Sequence, residues 1–128
     1  MGIGKNMTRV DAFDKVTGSA RYTADLEPQG LLVAKVIRST IANGVVKSFD
    51  LEESRKVPGV VKIVTCFDVP DIQFPTPGHP WSVETAHQDI ADRKLLNTRV
   101  RVYGDDIAAV IAEDDIAAAR AARLVKVE

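Results

Sequence analysis

Ile107-Ala108-Ala109-Val110-Ile111-Ala112, followed by Glu113-Asp114-Asp115 and the alanine-rich run from Ile116 to Arg123, carries the strongest structural signal in this chain of 128 residues. Six consecutive apolar residues are too few for a buried helix and fit a strand covered on both faces. Asp114 or Glu113 then opens a helix by capping free backbone N–H groups. The alanines favour that helix and let it lie close to a sheet. Arg120 and Arg123 share one face near its C-terminal end, where the helix dipole favours cations. A strand feeding a close-packed helix predicts an α+β domain.

Further elements follow upstream. Pro28-Gln29-Gly30 is turn chemistry, and Leu31–Ile37 reads as a strand. Asn43-Gly44 is a hairpin-type turn before the β-forming run Val45–Phe49, so residues 31–38 and 45–49 are expected to pair antiparallel. Asp50, with Glu53 three residues on, predicts a capped helix over Leu51–Lys56, ended by Pro58-Gly59. Val60–Thr65 and Val100–Tyr103 are further strands, and Leu124–Glu128 alternates like another. The second helix is Asp115–Arg123. The expected core includes Leu32, Val36, Val46, Ile63, Val110, Ile116 and Leu124. The first thirty residues read as a polar lead-in, with a turn over Lys15–Ala20 and an extended Arg21-Tyr22-Thr23.

Composition bounds the function. Hydrophobic residues are 45% and charged residues 27%, as in a globular protein with one sizeable core. The net charge is −1, distributed as +3 over residues 1–64 and −4 over 65–128, and lacks the basic footprint of a nucleic-acid binder. No apolar run reaches the length of a membrane span, and MGIGKNMTRVD has no apolar signal core. The one cysteine, Cys66, permits neither an internal disulfide nor a cysteine-based zinc site, so a cytoplasmic setting is expected. The chain stops at Glu128 without a polar tail, as expected of a domain cut from a longer polypeptide.

No motif for chemistry survives inspection. Gly2-Ile3-Gly4-Lys5 lacks the spacing and preceding strand of a phosphate loop. His79 and His87 are eight residues apart in a proline-rich segment, a poor metal-ligand spacing, and local hydrogen bonding explains them better than a metal-dependent hydrolase does. Cys66 follows an apolar strand, where cysteine acts as a small hydrophobe. Asp105-Asp106 and Asp114-Asp115 are adjacent pairs whose side chains diverge, and turns and caps account for them. No catalytic, cofactor-binding or metal residue is assigned. Residues 70–94, with four prolines and Trp81, are expected to serve as an interface. Trp81 capping the domain's own core is the alternative.

A resemblance adds to this. Arg9-Val10-Asp11-Ala12, Asp14–Asp25, Gly30 to Ser39, Pro58-Gly59-Val60, Thr65 to Pro70, Val102-Tyr103-Gly104-Asp105 and Ile107–Glu113 together resemble the N-terminal α/β-hammerhead domain of the molybdenum hydroxylases, the xanthine dehydrogenase/aldehyde oxidase family. Thr76–Trp81 and Gln88–Arg93 resemble the bacterial xanthine dehydrogenase branch with separate subunits. Two departures stand out. Thr40-Ile41-Ala42-Asn43-Gly44 replaces the proline and histidine that usually follow Arg38-Ser39, and Gly104-Asp105-Asp106 replaces a Gly-Glu-Pro. The resemblance implies a single α/β-hammerhead domain over 1–128, with mixed or antiparallel strands and two helices, taken from a longer molybdenum-binding subunit. It implies a structural or interface role in a purine-oxidising dehydrogenase, with Arg38, Ser39, His79 and Trp81 as interface residues. Molybdopterin, its dinucleotide form expected, would lie with the [2Fe-2S] clusters and FAD on other domains or subunits. The partners would be the remaining cofactor domains and an iron–sulfur subunit, with neither nucleic acid nor membrane. The competing expectation is a free-standing binding module using the 70–94 loop.

Overall fold

The computed structural model describes residues 4–75 and 90–128. Residues Met1–Leu31 and Leu32–Glu128 form two compact units. Among the described residues no helix is long and apolar enough to cross a membrane.

The larger unit is built on a three-stranded antiparallel sheet. Strand β1 (Val33–Arg38) and strand β4 (Val60–Thr65) flank β8 (Asp106–Ala112), giving the order β1-β8-β4. The apolar run therefore sits at the centre, as its sequence predicts. Pairing runs from Val33 opposite Ala112 to Arg38 opposite Asp106, and Ile63 lies opposite Val110. Helix α3 (Asp115–Leu124) covers one face of this sheet. The Asp114 carboxylate accepts the Ala117 N–H at 2.7 Å, which is the expected cap. Ala117, Ala118 and Ala121 are buried against Val57, Ile63, Val110 and Ala112. The short helix α2 (Glu52–Arg55) is tied to α3 by the fully buried Ser54, whose hydroxyl donates to the Ala121 carbonyl at 2.8 Å. Between α2 and β4, Gly59 turns at φ +87°, and a Cβ there would stand 3.2 Å from that of Ala117. A second cluster, Val46, Cys66, Leu96, Val100 and Ile107, packs beyond the end of the sheet.

The structure corrects several sequence expectations. Residues 45–49 are not one strand and do not pair with β1. Strand β2 (Gly44–Val45) pairs with β7 (Arg99–Val100), and β3 (Phe49–Asp50) pairs with β9 (Lys126–Val127). The fully covered β8 takes β1 instead, and Ser39, bonded through its backbone to Gly104 and Asp105, carries the chain toward the 97–105 segment. The strand expected over Val100–Tyr103 ends at Val100, because the N–H groups of Arg101 and Val102 turn to the Asp105 carboxylate. Asp50 does accept the Glu52 N–H, at 3.2 Å, but Glu53 bonds Lys56 rather than closing a capping box. Within 70–94, β5 (Phe74–Pro75) and β6 (Ala91–Arg93) form a two-stranded ribbon, with Pro75 at a strand end where its missing N–H is tolerated.

Four expected core residues are exposed. Leu32 precedes β1, and Val36 lies opposite Ala109 on the sheet face away from the alanines of α3. With Ala118 turned inward, the 100° step of the helix turns Ile116 outward, and Leu124, in the last turn where the sheet no longer covers the helix fully, is 38% exposed.

The unit Met1–Leu31 adds a helix that the two-helix expectation lacked. Helix α1 (Ala12–Thr17) stops at Gly18, whose φ is +74°. The turn expected over Lys15–Ala20 thus begins three residues late, with the N–H groups of Ser19 and Ala20 both reaching the Asp14 carbonyl. Asp11 pairs with Arg9 and with Lys15, and these cations hold its carboxyl below the usual aspartate range. Thr23–Asp25 is a 3-10 turn rather than an extended segment. Among the described residues of this unit none is buried.

Candidate functional interface

The interface residues expected at the end of β1 are held by a compact hydrogen-bonded knot. Arg38 Nε donates to Asp106 Oδ1 at 3.1 Å across the register shift that ends the β1–β8 ladder. Both side chains are exposed, so this pair contributes little by itself. Ser39 is buried. Its N–H donates to the Asp105 carbonyl at 2.8 Å, and its carbonyl accepts from the Gly104 N–H at 3.0 Å. Its hydroxyl donates to the Ile41 carbonyl at 2.9 Å and lies 3.1 Å from the Ile41 N–H. The hydroxyl is fully committed to folding the Ser39–Ile41 turn.

Asp105 completes the knot from the other side. It is 6% exposed, and one carboxylate oxygen accepts from Arg101 N at 2.7 Å and Val102 N at 3.2 Å. Gly104, at φ +93°, makes the turn that brings this carboxylate back onto its own loop. Turn polarity, the sequence expectation for Asp105, holds. Its anchoring of the knot has a local signal in the spacing of a carboxylate three and four residues after two N–H groups.

Beside the knot lies an open cleft of about 400 Å³, lined chiefly by apolar side chains. Ile37, Val46, Val100 and Ile107 are among its lining, while Ile41 and Val45 are largely exposed. Its polar lining is Arg38, Ser39, Thr40 and Glu128. Glu128 faces Lys47 at 3.2 Å and Ser48 at 3.3 Å. This surface is suited to holding apolar groups, not to acid–base or nucleophilic work.

The other candidates do not join it. Trp81, His79 and His87 lie outside the described residues, as do Gly2 and Ile3. Cys66 is buried in the second cluster, and burial, helped by nearby Asp68, pushes its thiol pKa up, away from a reactive thiolate. Asp68 accepts from Thr65 Oγ1 at 2.6 Å and Thr65 N at 2.8 Å, and these bonds hold its carboxyl below the usual range. Among the described residues no group of three or more His, Cys, Asp or Glu comes together as a metal site. A [2Fe-2S] centre needs several thiolate or imidazole ligands, and Cys66 is the chain's one cysteine, so the residues present do not fit that group.

Comparison with known proteins matches residues 17–128 to the family described as aldehyde oxidase and xanthine dehydrogenase, a/b hammerhead domain. The xanthine dehydrogenase molybdenum-binding subunit of Escherichia coli O157:H7 is 49% identical over 120 residues, covering 94% of this chain and 16% of that protein. The nicotinate dehydrogenase large molybdopterin subunit of Eubacterium barkeri is 31% identical over 111 residues, covering 87% of this chain and 24% of that protein. Among solved structures, the aldehyde oxidoreductase of Desulfovibrio desulfuricans ATCC 27774 matches with a TM-score of 0.81 and 31% identity, over 98% of this chain and 14% of that one. The chain thus spans between about a seventh and a quarter of the length of these relatives.

Proposed function

The chain belongs to the aldehyde oxidase and xanthine dehydrogenase family, as its a/b hammerhead domain, and from that premise we propose that it is a structural and interface domain of a molybdopterin-dependent hydroxylase of the xanthine dehydrogenase type. The 128 residues alone perform no catalysis. Molybdopterin, when bound elsewhere in the whole protein, supplies the hydroxylation of a purine C–H with oxygen from water. The [2Fe-2S] clusters and FAD belong to other domains or subunits. Its partners are the remaining cofactor domains and the iron–sulfur component, in the cytoplasm.

The observation that carries this reading is uncovered apolar surface. Val10, Phe13 and Val16 are at least 73% exposed, in a unit with secondary structure but no buried described residue. In the larger unit, Val36, Ile41, Val45, Val61, Val102 and Tyr103 are exposed as well. Singly exposed apolar residues are ordinary, but so many on a small chain mark surface that a partner covers. The Ser39–Asp105 knot fixes part of that surface; Arg38, His79 and Trp81 are proposed as members of it, and the buried Ser39 as the residue that holds its edge.

Hydrogen exchange tests the reading. In the full-length subunit, the amides of α1 are expected to exchange at least about tenfold more slowly than in the isolated 128-residue chain. Equal exchange in the two settings would overturn it. Trp81→Ala is expected to weaken assembly of the full protein while leaving the isolated chain's melting temperature within a few degrees.

A further inference from the structure

We propose that the outer stripe of α3 is a second docking surface, for a protein segment that presents two carboxylates beside an apolar side chain. Ile116, Ala119, Arg120 and Arg123 recur at helical spacing on the side away from the buried alanines, and with Asp115 and Leu124 of the last turn they line one shallow depression of about 590 Å³. Ile116 is 81% exposed and Leu124 38%. Among the described residues, Arg120 and Arg123 have no hydrogen-bond or ion-pair partner.

The side chains of Lys35, Arg55, Lys62 and Arg99 also lack a hydrogen-bond or ion-pair partner among the described residues, so what sets the stripe apart is that its two free guanidiniums stand next to exposed aliphatic side chains on one helix. Lys56 pairs with Glu52 and Glu53, Lys47 with Glu128, Lys126 with Asp50, and Arg101 with Asp92. A helix face meant for water normally carries charges of both signs at i,i+4 spacing. Here the outer face sets an isoleucine and a leucine beside the two guanidiniums, and its one acidic residue, Asp115, pairs with neither of them. The helix dipole accounts for arginines near the C-terminal end, but not for the apolar residues interleaved with them. Arginine beside exposed aliphatic side chains is the composition enriched in protein interfaces, because its flat, weakly hydrated head can be covered while binding a carboxylate bidentately. Charge complementarity therefore specifies the occupant: two acidic side chains about one helical turn apart, flanking an apolar one that meets Ile116 and Leu124.

The proposal rests on the domain being part of a larger assembly, and its test is separate from the α1 exchange measurement. Ile116 is replaced by p-benzoylphenylalanine in the full-length subunit expressed with its partner subunits, and photo-adducts are mapped by mass spectrometry. An adduct is expected on a segment holding at least two Asp or Glu beside an apolar residue. Combining the probe with Arg120→Glu and Arg123→Glu is expected to lower its yield about tenfold or more, while Arg120→Lys with Arg123→Lys lowers it far less. Unchanged circular dichroism of these exposed-site variants checks that the helix persists. No adduct, an adduct on a segment without paired carboxylates, an adduct on a second copy of this domain, or a yield indifferent to charge reversal would each overturn the proposal. Slow α1 exchange together with any of those results would sink the α3 surface and leave the domain's interface role standing.

Discussion

Replacing Asp105 tests whether the knot at the end of β1 is held by one buried carboxylate. Asp105→Ala removes the acceptor of two backbone N–H groups, those of Arg101 at 2.7 Å and Val102 at 3.2 Å, in a residue only 6% exposed. Hydrogen bonds to a charged group contribute about 1.5–3 kcal/mol each, and two donors sharing one oxygen fall short of twice that, so the loss should be about 3 kcal/mol. Asp105→Asn keeps an oxygen in place but loses the charge, which roughly halves such bonds, so about 1.5 kcal/mol is expected. With about 2.1 cal/mol/K of unfolding entropy per residue, a chain of this length loses nearly 4 °C per kcal/mol, or about 11 °C for the alanine variant. Urea unfolding and thermal melts followed by circular dichroism read both variants. Faster exchange of the Ser39 and Gly104 amides should accompany the loss, because their partners lie on the same turn. An alanine variant within 1 kcal/mol of the parent, or an asparagine variant as damaged as the alanine one, would refute the assignment.

Three further outcomes are expected. Ser54→Ala should destabilise the chain by about 1–2 kcal/mol in urea unfolding, since it deletes the buried 2.8 Å bond to the Ala121 carbonyl that joins α2 to α3. Asp68, whose folded pKa is lowered by its bonds from Thr65, contributes stability that is present above the ordinary aspartate value of 3.8 and is lost as pH falls from there through the lower folded value. An Asp68→Asn variant should therefore show a shallower loss of stability below about pH 4, as read from unfolding midpoints across pH. Cys66, buried and with its thiol pKa raised by that burial, should resist a thiol reagent at pH 8 in the folded chain and react promptly in denaturant. Prompt reaction under native conditions would place it outside the second cluster.

The fold was legible where a segment's partners are dictated by its own composition. Ile107–Ala112 has no polar position to leave in water, so it had to be central, and Val60–Thr65 appears with the same bounds in sequence and structure. The helix after Asp114 was equally legible, because cap and alanines agree. What failed were statements that depend on phase or on distant partners. Leucine and isoleucine outrank alanine on any hydrophobicity scale, so Ile116 and Leu124 were expected inside. Yet the residues that α3 turns to the sheet are Ala117, Ala118 and Ala121, packed on Ile63, Val110 and Ala112, and the approach is close enough that a Cβ at neighbouring Gly59 would stand 3.2 Å from that of Ala117. Likewise the ladders of Gly44–Val45 and Phe49–Asp50 are closed by residues more than fifty positions away, which no local pattern encodes.

The local geometry of the candidate surface is legible only in part, for a related reason. Resemblance proposes Arg38 and Ser39 as interface residues, and in the structure they end a strand locked to Gly104 and Asp105. The departures from the family pattern fall in that same knot: Thr40–Gly44 in place of a proline and histidine, and Asp105-Asp106 in place of a glutamate and proline. A proline at position 106 could not supply the carboxylate that pairs with Arg38, and the Asp105 side chain is the right length to reach two N–H groups three and four residues back. The altered residues thus belong to one local hydrogen-bonded knot at the end of β1, and on the proposed reading that knot fixes the edge of a docking surface. On that argument an Asp106→Pro variant would lose the Arg38 pair at little cost to the isolated fold, and its effect would appear in assembly of the full-length protein.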